Sequence, residues 1–127
     1  MRLELKNDLP FVSVQIGYLG RMLVIPGVLV DTGYATSILS ADQVTAIDLR
    51  PAPGDPLYAI RGVGGSEVVF ARVVDFIQVG GRRLAEFEIE VGGMDYGFAI
   101  NGILGMNFLT ASGAILDLEM LELRYSA

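Results

Sequence analysis

The chain has 127 residues, with apolar side chains at 52%, 16 glycines, a net charge of −6 and neither Cys nor His. The missing Cys and His exclude thiol nucleophiles, disulfides, Ser-His-Asp triads and His-ligated zinc, so hydrolytic chemistry would have to run on carboxylates. Lys6 is the single lysine and no basic patch exists, which argues against nucleic acid and membrane surfaces as partners.

The length suits one domain with one core, spanning residues 1–127. The apolar fraction is high for a soluble monomer of this size and points to a self-association surface. Met1-Arg2-Leu3-Glu4-Leu5-Lys6 has no apolar signal core, so a cytoplasmic location is expected.

In chain order, residues 2–8 alternate Leu3 and Leu5 with charges and predict a first strand that Pro10 punctuates. Residues 11–18 place Val12, Val14, Ile16 and Tyr18 on one face of a half-buried strand. Leu19-Gly20-Arg21 turns it and residues 22–25 return, with a break or bulge at Pro26-Gly27. Val28-Leu29-Val30 then reads as the end of a buried strand that delivers Asp31 into Thr32-Gly33. Asp-Thr-Gly alone also makes an ordinary turn. A carboxylate at the end of a buried strand nevertheless needs partners or a function.

Ser40 and Gln43 form a Ser-x-x-Gln capping box that opens a short helix at residues 41–47. Residues 48–56, with three prolines and a Gly, predict a surface loop. Residues 57–63 and 66–79 flank a hairpin turn at Gly64-Gly65, and Gly80-Gly81 turns again into a strand at 84–91. On that strand Glu86, Glu88 and Glu90 share a face. Three carboxylates there are either a hard-cation site or a solvated edge face, and the edge is the simpler reading. Residues 96–116 carry no charge, yet their Gly and Asn content and the lack of basic flanks argue against a membrane span. They divide into a strand at 98–104, a short helix at 105–111 and a strand at 114–118, followed by a last strand at 121–125. The tally is about eight strands and two short helices in a compact β barrel.

Val30-Asp31-Thr32-Gly33 followed by Thr36-Ser37-Ile38-Leu39 resembles the active-site loop of retropepsin-like aspartic proteases. Arg61-Gly62-Val63-Gly64-Gly65 stands where that family carries its flap. Gly102-Ile103-Leu104-Gly105-Met106-Asn107-Phe108-Leu109 is similar to the family's second signature, a strand that passes beneath the loop where Gly105 leaves room. The three occur in the family's order and spacing and span nearly the whole chain. The resemblance implies an all-β acid-protease barrel with one or two short helices, an aspartic endopeptidase activity, and no metal or organic cofactor. It implies Asp31, Thr32 and Gly33 as catalytic residues, and Tyr34, Ala35, Gly62, Gly64 and Gly65 as substrate-binding ones.

Amide hydrolysis by carboxylates needs two of them, sharing one proton and one water. One Asp-Thr-Gly per chain therefore implies a homodimer with a two-fold axis between the Asp31 residues. In the family the threonine hydroxyl bonds across that dimer, and Thr32 matches the position. The expected substrate is an extended peptide with apolar residues near the scissile bond. Tyr34 departs from the family's usual Ala or Ser and resembles a bacterial and archaeal subgroup; it would narrow the cleft or occupy part of it. Ala35 replaces a polar residue with which retroviral enzymes hold the substrate backbone. Tyr58 either lines the cleft or sits in the core. The alternatives are a weakly active or inactive dimerisation or peptide-binding module on the same barrel, and an unrelated β barrel with a chance triplet.

Overall fold

A computed structural model describes residues 1–62, 65–94 and 99–126, with the backbone alone for 58–62 and 65–68. Strand β1 (Glu4–Lys6) meets β2 (Leu9–Tyr18) through Asn7-Asp8, and β2 meets β3 (Arg21–Val30) through Leu19-Gly20. All four turn residues have positive φ, the backbone twist that two-residue hairpins require. Arg2 makes only an isolated bridge, to Glu122, so the first strand is shorter than residues 2–8. Pro10 does not end the pairing. It lies inside β2, opposite Leu5.

Pro26-Gly27 forms a bulge and not a break. The register steps from Val12 opposite Val28 to Val14 opposite Ile25, which leaves one extra residue on β3. Gly27 takes a φ of +67° there, a conformation that costs glycine little.

After β3 come β4 (Ile38–Ser40), helix α1 (Ala41–Val44) and a 3₁₀ turn at Thr45–Ile47. Ser40 occupies the helix N-cap but its side chain makes no capping bond, so the expected capping box does not form. Strands β5 (Leu57–Gly62), β6 (Gly65–Val79) and β7 (Arg82–Gly92) form two antiparallel hairpins. Residues 48–56 are tied down by Leu49, which is buried in the core, by the Ala71 N–H on the Pro56 carbonyl, and by Arg72. Arg72 on β6 pairs with Asp55 at 2.6 Å and donates to the Tyr18 hydroxyl and the Arg50 carbonyl. Strand β8 covers only Gly102–Leu104, and Phe98, where the expected strand begins, lies outside the described residues. Helix α2 (Met106–Ser112) leads to β9 (Ala114–Asp117) and β10 (Glu122–Tyr125). These last two strands form a separate hairpin that also pairs with residues 1–3.

The large sheet runs β1-β2-β3-β8-β4-β7-β6-β5, and β2 pairs with β6 as well. That extra pairing closes six strands into a ring, with β1 and β5 attached outside it. Inside the ring lies the main apolar cluster, with Val14, Ile16, Ile25, Val28, Ile77 and Phe108 fully buried. A second cluster of Phe11, Ile38, Val69, Ile100 and Ile103 is also buried. Its strand members alternate with members of the first: Phe11 beside Val12, Ile38 beside Leu39, Val69 beside Phe70, Ile103 beside Leu104. Neighbouring residues on a strand face opposite ways, so these strands are buried on both faces. This explains their unbroken apolar runs. No helix among the described residues is long and apolar enough to cross a membrane.

Candidate active site

The central feature is a three-strand arrangement around β8. Strand β3 runs parallel to it, with Val28 to Val30 opposite Gly102 to Leu104, and β4 runs antiparallel on its other side. The chain leaves β3 at Val30, turns through residues 31–37, and returns as β4 with β8 between the two. The Asp31 N–H donates to the Leu104 carbonyl at 3.0 Å, which holds the acid at the end of its strand.

Asp31-Thr32-Gly33-Tyr34 is a tight turn. The Tyr34 N–H returns to the Asp31 carbonyl at 3.3 Å, and the Gly33 N–H donates to Asp31 Oδ1 at 2.8 Å. A Cβ on Gly33 would stand 3.2 Å from that same carboxylate oxygen, so glycine keeps space beside it. Asp31 is half-buried, while Thr32, Gly33 and Ala35 are exposed. The turn thus presents a carboxylate and a hydroxyl at the surface of a rigid frame.

The frame comes from β8 and α2. The Met106 N–H donates to the Tyr34 carbonyl at 2.7 Å, and the Asn107 N–H to the Ala35 carbonyl at 2.9 Å. Gly105 sits directly under the loop. A Cβ there would collide with the backbone carbonyl oxygens of Thr36 and Tyr34. The expectation that Gly105 makes room for the loop therefore has a steric cause.

Two polar residues of the frame carried no role in the sequence reading. Ser37 is 1% exposed, and its hydroxyl accepts from the Gly105 N–H at 3.0 Å and donates to Asn107 Oδ1 at 2.7 Å. Asn107 Oδ1 also accepts from the Phe108 N–H. Both are polar residues inside apolar runs, which is the signal that marks them, since a buried hydroxyl needs partners.

Glu90 is a third polar residue of the frame, one that the sequence grouped with Glu86 and Glu88 on a solvated edge face. Glu86 and Glu88 are exposed, as a solvated face requires. Glu90 differs, because β7 is paired on both sides there, with β6 and with β4. Its Oε1 accepts from Thr36 Oγ1 at 2.6 Å and from the Tyr34 hydroxyl at 3.4 Å. The cation reading finds no ligand set, since no metal-sized group of three or more His, Cys, Asp or Glu exists among the described residues.

The structure brings Asp31, Thr32, Gly33, Tyr34 and Ala35 together in one loop. Gly62 and Gly65 stand opposite each other in the β5–β6 register. Gly64 lies outside the described residues, and the Tyr58 side chain is likewise not described. Beside Thr32 a groove of about 450 Å³ runs along α2 and β9, lined by Met106, Leu109, Thr110, Ala114 and Leu116.

Comparison with known families agrees with this geometry. A family model described as "Aspartyl protease" matches residues 14–108, which takes in the Asp31 loop, the β5–β6 hairpin and the β8–α2 signature as far as Phe108. No curated protein matches the chain. The chain belongs to the aspartyl protease family, and its fold is the all-β retropepsin-like one.

Proposed function

We propose that the chain is an endopeptidase that works as a homodimer, with Asp31 of each copy activating one shared water. The observation that carries this reading is the placement of one Asp-Thr-Gly per chain in an exposed turn, braced by Leu104 and Gly105, beside an apolar groove. A single carboxylate cannot serve as both base and acid on one water. A second copy supplies the other, and the groove next to Thr32 is the surface that such a copy would cover. Residues 1–127 then act as one protease domain. Thr32 is exposed and lines that groove, so in such a dimer its hydroxyl would reach across the seam.

In this mechanism one Asp31 takes a proton from water and the other, protonated, hydrogen-bonds the substrate carbonyl oxygen. Gly62, Gly64 and Gly65 would form the tip of a flap that lies over an extended peptide. The substrate backbone would pass along Tyr34 and Ala35.

Asp31→Asn tests the assignment. It should abolish cleavage in a broad peptide library while leaving the fold and the dimer mass unchanged. Cleavage that survives in the variant refutes Asp31 as the catalytic acid. Specific activity should also fall on dilution below the dimer dissociation constant, and activity from a demonstrated monomer refutes the shared site. One observation favours a second reading, a peptide-binding module that cleaves poorly: the Tyr34 ring packs against the second apolar cluster beside the loop. Wild-type protein that binds peptides but cleaves none would select that reading.

A further inference from the structure

The second apolar cluster lies between two parts of the proposed site. Ile38 and Ile103 come from the strands that frame the Asp31 loop. Val69 comes from the root of the β5–β6 hairpin, opposite Tyr58. Tyr34 packs onto this cluster from the loop itself. The cluster is tightly packed: Ile38 and Val69 are each 1% exposed, and a Cβ on Gly92 would press on both.

The backbone of Tyr34 is held at both ends, by its N–H on the Asp31 carbonyl and by the Met106 N–H on its own carbonyl. Only the side-chain torsions are left to move. The hydroxyl points toward Glu90 Oε1, and Thr36 Oγ1 fixes that carboxylate at 2.6 Å. Ring packing and hydroxyl contact therefore favour the same rotamer. A ring seated this way covers apolar surface directly beside the Asp31 loop.

We infer that Tyr34 is a specificity-determining residue, a plug in the apolar pocket between the Asp31 loop and the hairpin root. The site then takes a small side chain, such as Gly, Ala or Ser, at the position above the ring. Without the ring it would take a large apolar one. This inference rests on the proteolytic reading above, and it narrows the expected substrate from apolar residues in general to small ones at this position.

The test uses full-length protein and two independent readouts. The first is kcat/KM on peptide pairs that differ only in Ala or Phe at each position flanking the cleaved bond. Wild type should favour Ala at one position, and Tyr34→Ala should shift that ratio toward Phe by about tenfold or more, the scale of filling one apolar pocket. Tyr34→Phe keeps the ring and should keep the wild-type ratio. An unchanged ratio in Tyr34→Ala, with cleavage still dependent on Asp31, overturns the plug and leaves the protease reading standing. The second readout needs no catalysis. Benzene should shift the Ile38 and Ile103 methyl resonances of Tyr34→Ala but not of wild type, because an opened apolar cavity binds small apolar molecules. Equal shifts in both, or none in the variant, overturn the plug. Selective shifts without cleavage by any variant uphold the plug and overturn the protease reading. If Tyr34→Ala does not fold, Tyr34→Leu replaces it, with the same direction expected in both readouts and the same results overturning the inference.

Discussion

The two apolar clusters share β2, β3, β4, β6 and β8, used from opposite faces, and the inner one also takes Ile89 and Val91 from β7 and Leu123 from β10. The inner cluster is sealed by the closed ring and by residues on regular elements, Val44 on α1 and Phe108 and Leu109 on α2. Phe108 is fully buried and meets Phe87 edge to face at 6.1 Å. The outer cluster is sealed by residues from connecting segments, Tyr34, Met94 and Ile100. The inner cluster therefore sets the stability of the barrel. The outer cluster couples a smaller share of burial to the shape of the site. Such a division would let the loop surroundings vary without loss of the fold.

The largest expected effect falls where the two regions share a support. Gly105→Ala drives a methyl group into the Thr36 and Tyr34 carbonyl oxygens. Neither is the tip of a flexible side chain, so the loop must move. The cost should lie at or above the top of the usual range for overpacking, about 1–3 kcal/mol. Peptide cleavage should be lost with it. Urea unfolding together with an activity assay checks both, and wild-type activity in the variant would mean that the loop does not depend on this contact.

Truncation compares the clusters directly. Phe108→Ala, in the inner cluster, should cost about 3–5 kcal/mol, and Ile103→Ala, in the outer one, about 2 kcal/mol, because it removes a smaller side chain from a smaller cluster. Ile103→Ala should nevertheless disturb peptide selection more than Phe108→Ala, measured as the Ala-to-Phe ratio in kcat/KM. Equal stability losses and equal selectivity would erase the distinction.

The smallest effect concerns a region outside both clusters. Asp55 is held below its ordinary value of 3.8, first by the hydrogen bond from Arg72 and next by the Ala52 N–H. A lowered value in the folded state means that the ionised form is preferred there. Its contribution is full above the ordinary value and is lost as pH falls through the folded one. Asp55→Asn should therefore lose stability at neutral pH, and the gap to wild type should close below about pH 4. Denaturation midpoints measured from pH 2 to 7 check this. A gap that stays constant across the range would assign the loss to packing alone.

At the other end of the scale, burial pushes the Tyr125 phenol up to about 12, and its hydroxyl donates to the Val79 carbonyl. The raised value keeps the phenol neutral. Its stabilisation is complete below the ordinary phenol value of about 10 and fades as pH rises through the folded one. A Tyr125→Phe variant should therefore show a flatter loss of stability with alkali than wild type.

What the sequence determined by itself was local. Asp31-Thr32-Gly33 declared a turn after an apolar strand because an unpaired carboxylate is costly inside a buried ladder and the triplet suits a turn. Leu19-Gly20 and Gly80-Gly81 mark two of the hairpins, since glycine tolerates the positive φ that Gly20 and Gly80 adopt. Asn7-Asp8, which the sequence placed inside the first strand, form a third turn that only the structure revealed. Gly105 was legible within its signature. The tertiary structure alone decided which distant groups meet. Glu90 looked like its neighbours Glu86 and Glu88 until Thr36, 54 residues away, bonded to it. Ser37 and Asn107 are 70 residues apart and lock the loop to α2. The β2–β6 pairing that closes the ring, and the outer cluster on which Tyr34 rests, likewise join segments far apart in the chain. Turn preference and strand period are short-range steric properties that adjacent residues carry. A hydrogen bond or a sealed pocket depends on where the chain returns, and closure of the barrel fixes that.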